Sequence, residues 1–360
     1  MFSSNTSQAQ ASQTYVDDVF SIWLYTGNSS TQTITNGINL STYGGLVWGK
    51  SRSGAYNHEL VDTVRGAGNA LRSNQTAAST TSCDVNSFTT TGFTLNFAGG
   101  GEINTNTVTE VAWTFRKATN FFDVVTYTGD GNSPQVINHN LGSTPGCVMI
   151  KRTDSTGDWY VSHRYDMGGS MLKLNSSDAT FSAGIGATST TFSVYGNTGI
   201  ALNNVSGATY VAYLFAHNAG GFGLTGTDNV ISCGSFTADG SGNATVSLGY
   251  EPQWLLVKSA SGTSNWWLAD TMRGMTASNQ TSYLSANTSN AEGGPSALYG
   301  PTATGFNAQA QNASQTYIYI AIRRPNKPPT SGTQVFSPIA RSGTGASGAS
   351  TGFGNVTDLV

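Results

Sequence analysis

Gly45-Leu-Val-Trp-Gly-Lys50, followed by Asn57-His-Glu-Leu-Val-Asp-Thr-Val-Arg-Gly66, is the stretch from which the fold is read. It returns as Cys147-Val-Met-Ile-Lys151 before Asp158-Trp-Tyr-Val-Ser-His-Arg164. It returns again as Trp254-Leu-Leu-Val-Lys258 before Asn265-Trp-Trp-Leu-Ala-Asp-Thr-Met-Arg-Gly274. In each copy the lysine stands twelve residues before Asp62, His163 or Asp270, so the register holds without a gap. A wholly apolar run of this length, bounded by polar turns, reads as a strand covered on both faces. In the strand after it, period-two alternation puts positions 58, 60 and 62 on one face, matched by Trp159 with Val161 and by Trp266 with Leu268. Trp266 therefore reads as core, and Trp267 falls on the opposite face.

The same order of signals surrounds each copy. A Tyr-Thr-Gly turn and a short strand come before it, at Thr33-Ile-Thr, Gln135-Val-Ile and Ala244-Thr-Val. A polar segment and an aromatic closing strand come after it: Glu110-Val-Ala-Trp-Thr-Phe115, Tyr210-Val-Ala-Tyr-Leu-Phe215 and Tyr317-Ile-Tyr-Ile-Ala-Ile322. Many short strands with Gly and Asn turns and no helical period predict an all-β chain of tandem antiparallel β-sandwich repeats, of jelly-roll or concanavalin-like type. A barrel is the competing arrangement. The expected units are a leader at 1–24, repeats at 25–118, 119–222 and 223–325, and a linker with the start of a fourth repeat at 326–360. Because that fourth copy stops where its Leu-Val-Trp strand should stand, the sequence is expected to continue in a longer chain or to be completed by another.

Over 360 residues, sixteen basic and nineteen acidic side chains give a net charge of −3 with no basic cluster, which argues against nucleic acid. No apolar run is long enough for a membrane-spanning helix, and the N-terminus lacks the pattern of a secretory signal. The three cysteines, Cys83, Cys147 and Cys233, form no disulfide framework, and the latter two read as small buried hydrophobes.

With the repeat written out, the chain resembles the repeat-containing structural and tail-fibre-like proteins of tailed bacteriophages, notably marine and cyanobacterial phages. The residues that carry the resemblance are Tyr15-Val-Asp-Asp-Val-Phe20, Gly44-Gly-Leu-Val-Trp48, Asp62-Thr-Val-Arg-Gly66, Gly92-Phe-Thr-Leu95, Val111-Ala-Trp113, Phe121-Phe-Asp-Val-Val-Thr-Tyr-Thr-Gly129, Gly220-Gly-Phe-Gly223 and Tyr317-Ile-Tyr-Ile-Ala-Ile-Arg-Arg324. The resemblance implies a virion component assembled in the host cytoplasm, a tail fibre or related appendage acting as spacer or adhesin. It also implies contacts with other virion proteins through the N-terminal region and a homotrimer. It supplies no catalytic residues.

The Asp62/Arg65 and Asp270/Arg273 spacings suit structural ion pairs that close a turn. A catalytic role for them is disfavoured, since the second copy has His163 and Asp166 there. Glycoside hydrolysis needs two positioned carboxylates, and no acid pair repeats between units, so an enzyme, here a polysaccharide depolymerase, ranks last. Asp130-Gly-Asn and Asp239-Gly-Ser-Gly-Asn could offer oxygens to calcium but read first as hairpin turns. No metal or cofactor is expected. Tyr160, Trp267 and Tyr299 are the aromatics placed to stack on sugar rings, so the alternative function is a lectin-like module that binds host-surface glycan.

Overall fold

The structure, a computed structural model, describes residues 13–97, 101–195 and 203–329. Residues 1–12 of the expected leader and 330–360 of the expected fourth copy lie outside the described residues.

Each apolar run is an interior strand with a sheet partner on either side. In the first unit an inner sheet runs in the order Phe20–Thr26, Thr109–Arg116, Gly45–Ser51, Glu59–Asp62. An outer sheet runs Gln32–Thr35, Gly92–Leu95, Val85–Thr89. The second unit repeats this as Phe122–Thr128, Thr209–Phe215, Cys147–Arg152, Trp159–His163, extended by Ser170–Lys173 and Phe181–Ser182, over the outer strands Gln135–Asn138, Thr191–Val194 and Gly186–Ala187. The third has Ile231–Thr237, Thr316–Arg323, Pro252–Ser259, Trp267–Asp270, Gln280–Ser285 and Gly293–Ala297 over Ala244–Ser247, Gly305–Ala308 and Tyr299–Thr302. The pairings are antiparallel and the sheets open, so the fold is all-β and of sandwich type, and the barrel alternative is set aside.

The first unit begins earlier than Tyr25. Phe20–Thr26 pairs along its whole length with Thr109–Arg116, and Phe20 and Ile22 point inward by strict alternation. The mixed apolar and polar character of this segment is that of a sheet-edge strand, not of a leader.

Both faces of each inner sheet are covered, which is why its central strand is apolar throughout. One face looks into its own sandwich: Val47 packs with Ile34 and Phe93 in the first unit, and Leu255 with Val246 and Phe306 in the third. The opposite face looks toward the other two units. Leu46, Trp48 and Trp113 of the first unit, Cys147, Met149 and Tyr213 of the second, and Trp254, Leu256 and Ile320 of the third lie in one continuous core. The three copies thus share a centre, and bulk is traded between them. At the first inward position Trp254 stands where the other units have Leu46 and Cys147, and at the next Trp48 stands where they have Met149 and Leu256. The same trade explains Gly49. A Cβ there would lie 2.6 Å from Ile103 Cδ1, so Ile103 fills the space that Ile150 and Val257 fill from their own strands.

The units close on one another as a ring. Ser79 N–H donates to the Thr153 carbonyl (2.9 Å), Thr180 N–H to Ala260 (3.0 Å), and Glu292 N–H to Arg52 (2.7 Å), so the third unit meets the first as the first meets the second. The chain enters and leaves the ring at one place. Asn326 N–H and Lys327 N–H both donate to Asp17 Oδ2 (3.1 Å each), and Lys327 Nζ pairs with Asp18 at 3.0 Å.

Candidate functional site

The face shared by positions 58, 60 and 62 carries the junctions of the ring. At its first position a ring N–H reaches back to a main-chain carbonyl of the preceding unit. Trp159 Nε1 donates to Arg72 (2.9 Å), Trp266 Nε1 to Lys173 (2.9 Å), and His58 Nε2 meets Ser285 at 3.0 Å. His58 Nδ1 accepts from Trp48 Nε1 (3.0 Å), which fixes the neutral tautomer with Nε2 as donor. Burial keeps that imidazole well below its ordinary pKa.

At the third position each unit meets the closing strand of the following one. Asp62 Oδ2 accepts from Tyr213 Oη (2.8 Å), and Asp270 Oδ2 from Trp113 Nε1 (2.9 Å). The residue of the third unit equivalent to Trp113 and Tyr213 is Ile320, which has no donor. The partner position in the second unit is His163, whose Nε2 faces the Tyr319 carbonyl at 3.2 Å. An aspartate there would be a buried carboxylate without a donor; a neutral histidine bonds the main chain instead. His163 is kept neutral by burial, which lowers its pKa to about 3.

Asp62–Arg65 and Asp270–Arg273 are ion pairs at 2.6 Å, the second with both side chains wholly buried. Each arginine also returns an N–H to the preceding strand, at Leu60 and Leu268. These carboxylates are used up by structure. The Asp130 and Asp239 side chains likewise accept from the main chain two to four residues on, as turn residues do. Among the described residues no cluster of His, Cys, Asp or Glu has the geometry to hold a metal. Cys83, Cys147 and Cys233 are buried free thiols.

The three aromatics proposed for sugar stacking separate. Tyr299 is wholly buried: it starts an outer strand, faces Phe306 at 6.4 Å between ring centres, and donates its hydroxyl to Gln311. It is not a surface residue, because Tyr299–Thr302 pairs with Gly305–Ala308 and turns the ring into the sandwich. Tyr160 is half-buried against the edge of Phe181. Trp267 is half-buried, held edge-on by Tyr283 at 4.9 Å, and borders a groove of about 400 Å³ between the second and third units. Ser177, Asn265, Gln311, Asn312 and Tyr317 border the same groove. An aromatic wall with amides and hydroxyls around it is the composition of a saccharide subsite.

A family profile described as "Domain of unknown function (DUF7483)" matches residues 16–325, which is most of the chain. The chain belongs to the DUF7483 family. Comparison with curated proteins gave no match. The matched span of this DUF7483 chain runs from the 3₁₀ turn at Val16–Asp18 to the end of the third unit, where the chain returns to that turn. One profile therefore covers the whole ring.

The closing strands carry a sign of one further feature of the DUF7483 ring, three acids inside the first sandwich. Glu59, Asp84 and Glu110 are at most 1% exposed, and Glu59 accepts from the Asp84 and Val85 amides. Glu110 stands where the other units have Tyr210 and Tyr317, each stacked on its neighbour at 12° and 11° between planes. Aligning the three closing strands at this position would have exposed the substitution. Both Glu110 oxygens lack a hydrogen-bond partner among the described residues. Burial, opposed in part by Lys50, pushes Glu110 up to about 9, and burial together with Asp84 pushes Glu59 up to about 8. All three acids are interior, with no access for a polysaccharide.

The sign of their effect on stability follows. With the folded pKa raised above the ordinary 4.5, the Glu110 contribution is fully present below pH 4.5 and is lost as pH climbs through about 9. Glu110→Gln is expected to match the parent within about 1 kcal/mol near pH 5 and to exceed it by several kcal/mol, about 4–6, near pH 9. Urea unfolding across that range checks it; parallel pH profiles for the two proteins would contradict the assignment.

Proposed function

We propose that this ring is a non-catalytic adhesin module of a bacteriophage virion, carried on a tail fibre or related appendage and binding host-surface glycan through the Trp267 groove. The observation that favours an adhesin over an in-line spacer is where the described ring begins and where it closes. Asp17 and Asp18 are bonded to Asn326 and Lys327, so chain arriving before the ring and chain leaving it emerge together. A link in a fibre needs its attachments at opposite poles, whereas a body attached at one point hangs free and presents the rest of its surface. The phage assignment rests on the sequence resemblance, and a homotrimer with other virion proteins at the N-terminal region belongs to the same proposal. The groove supports the glycan reading by its composition.

Two measurements test it. Immunogold imaging of released particles should label an appendage; label found only in the lysate and never on particles would remove the virion assignment. On a glycan array the chain should bind a neutral-sugar subset, with Trp267→Ala losing about tenfold or more in affinity, since stacking and displaced water both go. Binding that survives Trp267→Ala unchanged would move the ligand elsewhere.

A further inference from the structure

Beneath the ring, beside the point where the chain enters, lies a second cavity of about 520 Å³, within the size of small-ligand sites at about 300–1,000 Å³. It is walled by the ends of the first and second units, with Arg116, Lys117, Asn120 and Asn140 among its lining and Tyr43 at its edge. The acid on the lining is spoken for: Asp123 pairs with Lys117 at 2.9 Å and accepts from the Asn140 amide at 2.7 Å. Arg116 is different. Its guanidinium has no carboxylate partner among the described residues, and its Nε is buried with no acceptor. Asp18, which acts on it from a distance, is paired with Lys327. Burial lowers the Arg116 pKa. Among the described residues its close neighbour is the Tyr43 ring, whose centre lies 4.3 Å from it, with Asp18 acting only from a distance.

That stacking matters for recognition. A ring laid against the guanidinium holds the side chain in place and leaves its N–H edge to meet an in-plane acceptor pair. A carboxylate is the group that matches such an edge with two parallel hydrogen bonds. Tyr43 is 54% exposed, and Asn120, Asn140 and Thr119 add amide and hydroxyl groups along the wall. Apolar ring area beside amides and hydroxyls suits a polyhydroxylated ring.

We propose that this cavity is a binding site for a uronate-type acidic saccharide, with Arg116 receiving the sugar carboxylate and Tyr43 bordering the ring. The site is separate from the Trp267 groove and does not depend on it.

The test is calorimetric titration of the full chain with a galacturonate oligosaccharide, the neutral galactose oligosaccharide of equal length, and a glutamate-rich peptide. The uronate should bind, and in Trp267→Ala, where neutral-sugar binding at the other groove is removed, the neutral sugar should bind at least about tenfold more weakly than the uronate, as expected for loss of a charge-assisted hydrogen-bond pair. Arg116→Gln should abolish binding, and Arg116→Lys, which keeps charge but not the fork, should weaken it about tenfold. Raising salt should weaken the parent, and Trp267→Ala should leave uronate binding unchanged. If Arg116→Gln proves unfolded by circular dichroism, Arg116→Lys and Tyr43→Ala carry the decision. Absent uronate binding, equal affinity of Trp267→Ala for the neutral sugar and the uronate, or full affinity in a folded Arg116→Gln would each overturn the proposal. Equal or tighter binding of the acidic peptide would overturn the saccharide assignment and point to a protein partner.

Discussion

Arg273→Ala is expected to destabilise the protein by about 3–5 kcal/mol, the range for breaking a buried ion pair from one side. Three side-chain interactions go at once: the Nε bond to Asp270, one to the Leu268 carbonyl and one to Glu292. The bond from the Arg273 main-chain amide survives the substitution, but the 2.6 Å contact from Nε does not. Asp270 is then left wholly buried with its charge opposed chiefly by the Trp113 indole of another unit. The guanidinium also lies 5.3 Å from the Trp113 ring, so the loss is felt across the junction between the third and first units. Removing both charges as Asp270→Leu with Arg273→Met should recover much of the loss, because the desolvation cost of the pair disappears with it. Urea unfolding of the two single variants and the double one, with unchanged denaturant slopes, measures this. A single variant within about 1 kcal/mol of the parent would mean that the pair is not the buried anchor described here.

Trp254→Ala is expected to cost about 3–5 kcal/mol, as for large core aromatics. Its ring is wholly buried and meets Phe115 at 5.7 Å and Phe20 at 6.1 Å, both of the first unit. Its indole N–H has no partner among the described residues. Trp254→Phe should therefore cost about 1.5 kcal/mol or less, since it removes an unsatisfied donor along with some volume. Trp113→Phe removes the same atoms but takes away the donor that Asp270 uses, and should cost more. Thermal unfolding of the three variants orders them; Trp254→Phe proving worse than Trp113→Phe would contradict the assigned hydrogen bonding.

What was legible in the sequence was whatever repeats at short range. The twelve-residue register fixed the paired strands, alternation put Trp266 inward and Trp267 on the other face, and the three-residue spacing of Asp62 with Arg65 was that of a turn-closing pair. Ring closure was not legible, because its partners are far apart in the chain: Asp62 meets Tyr213 and Asp270 meets Trp113. A trace of it did exist. The second copy departs from the motif at His163, and the third closing strand departs at Ile320, and the two residues sit at the same junction. Read as a coupled change of acceptor and donor, that departure signals contact between neighbouring units and not a decayed active site. Tyr299 was misplaced because Gly300 and Pro301 beside it look like a loop, while the pairing of that segment with Gly305–Ala308 is set by the sandwich. Arg116 was overlooked because dispersed basic residues carry no signal until burial shows which one lacks a counter-ion.

The central claim is that the three units form one body around a shared core and are not three sandwiches strung in series. Differential scanning calorimetry of residues 13–329 tests it most directly. The account predicts a single transition whose calorimetric and van't Hoff enthalpies agree, lowered as a whole by Trp254→Ala. Three resolved transitions, or a Trp254→Ala effect confined to one of them, would contradict it.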